Sequence, residues 1–318
     1  MIKSIIFNFI KTIVYFMKIS KLKKFIHDKI IFYIGVNQVN ENRKIYKNVK
    51  NIQQIELKIF SQNGEDGIID YLLYQLGLIP NHVNFVEIGV GDYRESNTRF
   101  LYNCFYPKGT IVDCIENLKL KIRPYANLWR GDLRICEEKI NSINITDVIN
   151  KYCNYEIDFF SIDIDSVDYW IIKKLKNKIS KVFVAEYNPV FGPDLKITVP
   201  NLHGFDRTKY HYSNLCYGMS LRALIDLMEK KGYYFIGTNL QKINAFFISR
   251  DFKKEDYFKK ILIDNLENYT DSNIRDSRDR NYNLNFLSGK SKLREIENCS
   301  VINLENNKEI LVKIKDLI

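Results

Sequence analysis

The stretch DFFSIDIDSVDYW, residues 158–170, sets four carboxylates among residues that otherwise spell a buried strand. Carboxylates are rarely buried without partners. Three more strand-like runs end in polar groups: VNFVEIGVG with Glu87, Gly89 and Gly91, GTIVD with Asp113, and VFVAEYN with Glu186 and Asn188. Glycines at alternate positions in EIGVGD let the backbone approach a ligand closely before a helix begins. An acid 26 residues after Glu87, at Asp113, is suited to accept hydrogen bonds from two ribose hydroxyls. A dinucleotide fingerprint needs a third glycine, and GVGDYR lacks it; this disfavours NAD and leaves a nucleoside without a pyrophosphate. Asp163, Asp165, Glu186 and Asn188 are the oxygen donors that Mg²⁺ or Ca²⁺ prefers. The competing arrangement needs no metal: Asp163 faces the ligand and Asp165 turns to the backbone amides of the next helix. No metal is assigned here.

The elements that would place these groups alternate strand and helix. GEDGIIDYLLYQLG has the spacing of a helix face, and NITDVINKY, DYWIIKKLKN and SLRALIDLMEKKGY continue the series, the last with Ser220 as N-cap and Gly232 as its stop. Such alternation predicts an α/β fold with a doubly wound, mostly parallel sheet, whose ligands bind beyond the carboxyl ends of the strands. YYFIGTN and INAFFISR are joined too tightly for a helical crossover, which requires an antiparallel strand at the sheet edge. Residues 189–218 have no period and are too long for a plain connector, so they read as a functional loop or lid. The domain should cover 56–250, preceded by a basic amphipathic segment and linker at 1–55. A charged extension, 251–318, should end in a hairpin at SVINLENNKEILVKI.

Composition narrows the function classes. The 318 residues include 21 Tyr and 20 Phe and are 46% hydrophobic, enough for a large core. Of the net charge of +10, residues 1–60 carry +9 and the remaining 258 carry +1. A neutral body argues against a basic nucleic-acid groove. The segment MIKSIIFNFIKTIVYFMKISKLKKFIHDKI is too interrupted by lysine for a spanning helix or a signal peptide. It reads as a helix lying on an anionic membrane face or docking to a membrane-bound partner, or else as an amphipathic helix packed on the protein's own body. Six unpaired cysteine positions without a CxxC form no zinc module and suit reduced thiols in the cytoplasm. A cytoplasmic protein, peripheral at the inner face of the membrane, is the expectation.

Taken together, FVEIGVGDYRESNTRFLY, GTIVD, IDFFSIDIDSVDYW, VFVAEYNPVFGPD and AFFI resemble the FkbM-like branch of class I S-adenosylmethionine-dependent methyltransferases, over roughly residues 56–250. The resemblance implies a seven-stranded Rossmann-like sheet with S-adenosylmethionine as cofactor. It places Glu87, Gly89 and Gly91 along the methionine and ribose, Asp113 on the ribose diol, Asp132 near adenine after a third strand, and Asp163 by the sulfonium. Relatives carry glycine where this chain has Ser166, so a positive φ there would be strained. The implied activity is O-methylation of a sugar hydroxyl in a bacterial surface glycan or its sugar-nucleotide precursor. Glu186, Asn188 and Tyr210 would meet that substrate, Asp163 and Asp165 would serve the chemistry, and His211, in the long loop, would be the general base for a weakly acidic hydroxyl. The alternative is a non-catalytic nucleoside- or glycan-binding accessory protein of polysaccharide assembly.

Overall fold

A computed structural model of the chain describes residues 2–252, 265–270 and 276–318, with side chains from residue 22 onward except Lys24. Two compact units divide at Ile45. The first holds a single long helix, α1 (Ile2–Arg43), so the basic segment is helical well past residue 35. Residues 46–55, read from sequence as lead-in to the domain, instead belong to the second unit. Tyr46, Ile52 and Ile55 are buried there, and the Tyr46 hydroxyl donates to Asp70 at 2.9 Å.

The second unit is built on a seven-stranded sheet. Helix α2 (Glu65–Gln75) leads into β1 (Phe85–Ile88), followed by α3 (Arg99–Phe105) and β2 (Gly109–Asp113). Next come α4 (Leu118–Ile122), β3 (Leu133–Glu137), α5 (Ile145–Tyr152) and β4 (Phe159–Ile162). After α6 (Asp168–Lys174) and β5 (Val182–Glu186) the chain makes a two-residue strand, β6 (Ile197–Thr198), and the one-turn α7 (Arg207–Tyr210). Then α8 (Leu221–Lys230) precedes β7 (Tyr233–Thr238) and β8 (Asn244–Ser249). The sheet order is β3-β2-β1-β4-β5-β8-β7. Strands β1 to β5 are mutually parallel, while β8 pairs antiparallel with both β5 and the outermost β7. The doubly wound sheet and its antiparallel edge pairing are thus both present.

Side-chain alternation covers the sheet on both faces. Val86, Ile88, Phe160, Ile162, Phe183 and Ala185 enter one core, with α5, α6 and α8. Phe85, Ile111, Phe159, Val182 and Val184 enter the other, with α2, α3 and α4. Strands apolar on both sides are what a parallel sheet between helix layers requires. Ser220 caps α8 by accepting from the Ala223 amide at 3.2 Å, and Gly232 ends the helix at φ +88°.

The C-terminal hairpin forms between β9 (Ser300–Asn303) and β10 (Ile310–Lys313), after α9 (Lys290–Glu295). It does not stand apart: β9 also pairs with β6, and Ile296, Val301 and Ile314 are fully buried in the first core. Residues 253–264 and 271–275 of the extension lie outside the described residues. Because the hairpin shares that core, Ile314→Ala should lower the stability of the whole unit by about 2–5 kcal/mol in one transition. Urea unfolding followed by circular dichroism checks this; an unmoved main transition would show the tail to be independent.

Candidate functional site

The strand ends create a cavity of about 420 Å³. Its floor begins at Gly89, whose φ is +85° and whose missing Cβ would sit 1.6 Å from the carbonyl oxygen of Asp163. Both the left-handed turn and the close approach exclude a side chain there. Gly91, also left-handed at φ +56°, donates its N–H to Asp113 Oδ2 at 2.8 Å, while Asp113 Oδ1 accepts from the Ile115 amide at 3.1 Å. Each carboxylate oxygen has two acceptor sites, so Asp113 keeps capacity toward the cavity it lines.

Glu87 acts from behind this loop. It is buried and accepts from Ser96 Oγ at 2.6 Å, the Asn97 amide at 2.8 Å, the Thr98 amide at 3.0 Å and Thr98 Oγ1 at 2.5 Å. Burial pushes its pKa up, and these donors oppose the rise. Glu87 therefore folds the glycine loop back onto the sheet, and it does not line the cavity. Gly91 likewise serves through its amide and is not a lining residue.

Beyond β4 the three remaining acids of the opening stretch separate by role. Asp168, 2% exposed, accepts from the Ile164 amide at 3.1 Å and the Ser166 amide at 3.0 Å, closing a turn on itself. Burial, then the neighbouring Asp163, raises its pKa to about 7. The expectation that Asp165 turns to the amides of the next helix is thus corrected: Asp165 accepts from Arg207, and it is Asp168 that gathers amides, those of the preceding turn. Asp165 sits at φ +51° and accepts from Arg207 Nη1 at 2.5 Å. The left-handed position is this aspartate, a residue type that tolerates it, and not Ser166. Carboxylate oxygens of Asp163, Asp165 and Glu186 all lie within 4.8 Å of one another, the one such grouping among the described residues. Three oxygens so placed could share a divalent cation; Arg207 already supplies one positive charge. Asn188 is bonded to its own loop: its Nδ2 donates to the Leu215 and Tyr217 carbonyls at 2.8 and 2.9 Å, and its Oδ1 accepts from the Val190 amide.

Of the residues singled out from sequence, the cavity brings together Gly89, Asp113, Asp163 and Asp165. Asp132 is at the wrong end of the sheet. It precedes β3, is about half exposed, and pairs with Lys108 and Arg134. The third strand lies after Asp132, so the residues at its carboxyl end are Glu138, Lys139 and Ile140, which do line the cavity. Phe205, Asp206, Arg207 and Thr208 form its roof, so the long loop does cover the strand ends, with residues other than those expected. His211 stacks on Tyr212 with ring centroids 4.2 Å apart and places Nδ1 2.7 Å from Ser213 Oγ. It is not a lining residue, and burial lowers its pKa. Tyr210 donates its hydroxyl to the Ser300 carbonyl at 2.6 Å, away from the cavity, and Glu186 is also absent from the lining. The charge balance of the walls is negative: Asp113, Glu138, Asp163, Asp165 and Asp206 against Lys139 and Arg207. Such a wall favours a cationic ligand over its neutral counterpart.

No family model and no curated protein matches the chain. Solved structures do resemble it. The N-terminal domain of EvdMO1 with SAH bound has a TM-score of 0.36 at 8% identity, covering 57% of this chain and 79% of that one. An S-adenosylmethionine-dependent methyltransferase from Clostridium acetobutylicum ATCC 824 has a TM-score of 0.34 at 10% identity, covering 56% and 89%. TrmK of M. capricolum, in complex with S-adenosyl-homocysteine, has a TM-score of 0.33 at 12% identity, covering 59% and 73%. At such identities and TM-scores these are resemblances only.

Two outcomes follow from the site's geometry. Gly89→Ala should cost about 3 kcal/mol or more, since a backbone carbonyl stands in the methyl's place and the turn is left-handed; a denaturation midpoint equal to the parent's would refute the close approach. The second concerns pH. Burial raises the carboxyls of Asp168 and Glu56 to about 7 and that of Asp66 to about 6. The folded chain then holds protons that the unfolded chain has released, so stability falls as pH rises between the ordinary carboxylate range and 7. The melting temperature should therefore be higher at pH 6 than at pH 8, and Asp168→Asn should shrink the difference. A melting temperature lower at pH 6 would contradict it.

Proposed function

We propose that this cavity binds S-adenosylmethionine and that the protein is an O-methyltransferase. The observation that carries the reading is the joint position of the Gly89–Gly91 turn and Asp113 at the carboxyl ends of adjacent parallel strands, beside an acidic wall. Asp113 is placed to accept from both hydroxyls of a ribose, and Glu138 and Ile140 stand past the next strand, where the base of a nucleoside would reach. When bound, the sulfonium supplies a methyl group for direct displacement by a hydroxyl oxygen. Asp163 and Asp165 bring carboxylates to the cavity wall, where they would favour a cationic donor, and we assign them to accept the hydroxyl proton. This role moves from His211 because the imidazole is turned to Ser213. The segment from Phe205 to Thr208 lines the cavity and would stand beside the reacting groups.

The acceptor we infer is a sugar hydroxyl of a bacterial surface glycan or its sugar-nucleotide precursor. Its support is the likeness of the motif set to FkbM-like enzymes, an argument by analogy. Calorimetric titration tests the cofactor. Asp113→Ala should weaken S-adenosyl-homocysteine by about 1.5–3 kcal/mol, the loss of charge-assisted hydrogen bonds. S-adenosylmethionine, being cationic, should bind more tightly than the neutral homocysteine product, with the gap narrowing at high salt. Binding of NAD⁺ without either adenosyl ligand would overturn the reading.

A further inference from the structure

Helix α1 carries a feature that the proposed chemistry leaves unused. Leu22, Phe25, Ile26, Ile30, Tyr33 and Ile34 are all exposed, between 47% and 64%. Their spacing places them in one arc of roughly 180° around the helix. The stripe runs along the helix for about three and a half turns. Soluble proteins rarely leave so continuous an apolar stripe in water, and such stripes mark interaction surfaces.

Charge identifies the occupant. Lys29 lies within the arc, its Nζ 5.6 Å from the Phe25 ring centroid, and the exposed Lys23 stands at its margin. Across residues 1–30 the sequence has seven lysines and a single acid, Asp28. A groove on a protein would be met by charges of both signs, whereas a sheet of anionic headgroups calls for this one-signed pattern. Tyr33 suits the headgroup boundary, where amphipathic rings settle. Among the described residues no helix is long and apolar enough to cross a membrane, so the helix would lie in the plane of the surface.

We infer that α1 is an in-plane membrane anchor, seated on anionic lipid through the stripe from Leu22 to Ile34 with its lysines against the headgroups. This assignment is independent of the cofactor and of the acceptor.

The test is co-sedimentation of the full chain with vesicles of phosphatidylcholine alone, or with about one third phosphatidylglycerol. Binding should require the anionic lipid and weaken at 0.5 M salt, beyond the reach of surface charges. Phe25→Glu with Ile30→Glu should reduce the partition coefficient on the order of tenfold or more, and so should Lys23→Glu with Lys29→Glu. All four positions are exposed, so both variants should keep the parent's melting temperature. Equal binding to both vesicle types would remove the electrostatic half of the assignment. No vesicle binding, together with parent self-association that Phe25→Glu with Ile30→Glu abolishes in analytical ultracentrifugation, would give the stripe to a second copy and overturn the anchor.

Discussion

The approach of Gly89 to the carbonyl of Asp163 is the constraint on which the rest of the site depends. Strands β1 and β4 are neighbours in the sheet, and their carboxyl ends can remain in register only if the first turns away without a side chain. Once that contact is made, the direction of every following group is determined. The glycine loop folds over β2 and reaches Asp113, while Glu87 ties the loop's far end to the sheet through four hydrogen bonds. On the other side, Asp163 leads into a turn closed by Asp168, which leaves Asp165 pointing at Arg207. A buried carboxylate that gathers amides does structural work, and a half-exposed one beside a cavity is a candidate for chemistry. Glu87 and Asp168 are of the first kind; Asp113, Asp163 and Asp165 are of the second.

Most of the architecture was legible in the sequence because a parallel sheet between two helix layers leaves a plain apolar signature. The runs at 85–88, 109–113, 159–162 and 182–186 stand out, as does the tight link between β7 and β8. One strand missed at its true place, β3, also has a poor signature. Its residues Leu133, Arg134 and Ile135 are half-exposed at the sheet's edge, so no buried run marks it. Missing it displaced Asp132 to the wrong end of the sheet and concealed Glu138 and Ile140.

The site was legible only where strand ends define it. Gly89, Asp113, Asp163 and Asp165 follow from topology, because a carboxyl end in an open α/β sheet faces the ligand crevice. The roof does not follow from any period. A one-turn helix such as α7 has no repeating pattern, and nothing in RTKYHY states which side chain turns inward. Residue type favoured His211 and Tyr210, yet the hydroxyl of Tyr210 spans 90 positions in sequence to reach Ser300. Contacts of that separation belong to tertiary structure alone. Glu186 and Asn188 illustrate the same limit: two residues apart, one converges with the acids and the other is bonded to its own loop.

Helix α7 has a further meaning for which parts of the cavity can vary. Its four residues are pinned at the ends, by Arg207 to Asp165 and by Tyr210 to the Ser300 carbonyl, and they contribute no strand to the sheet. The floor below is frozen by backbone geometry that tolerates almost no exchange. The roof, by contrast, is a short clasp whose middle can be rewritten by single substitutions without disturbing the hydrophobic layers. Fixity and freedom thus occupy opposite walls of one cavity, and a change in the clasp would alter what the cavity admits while its floor stays as it is.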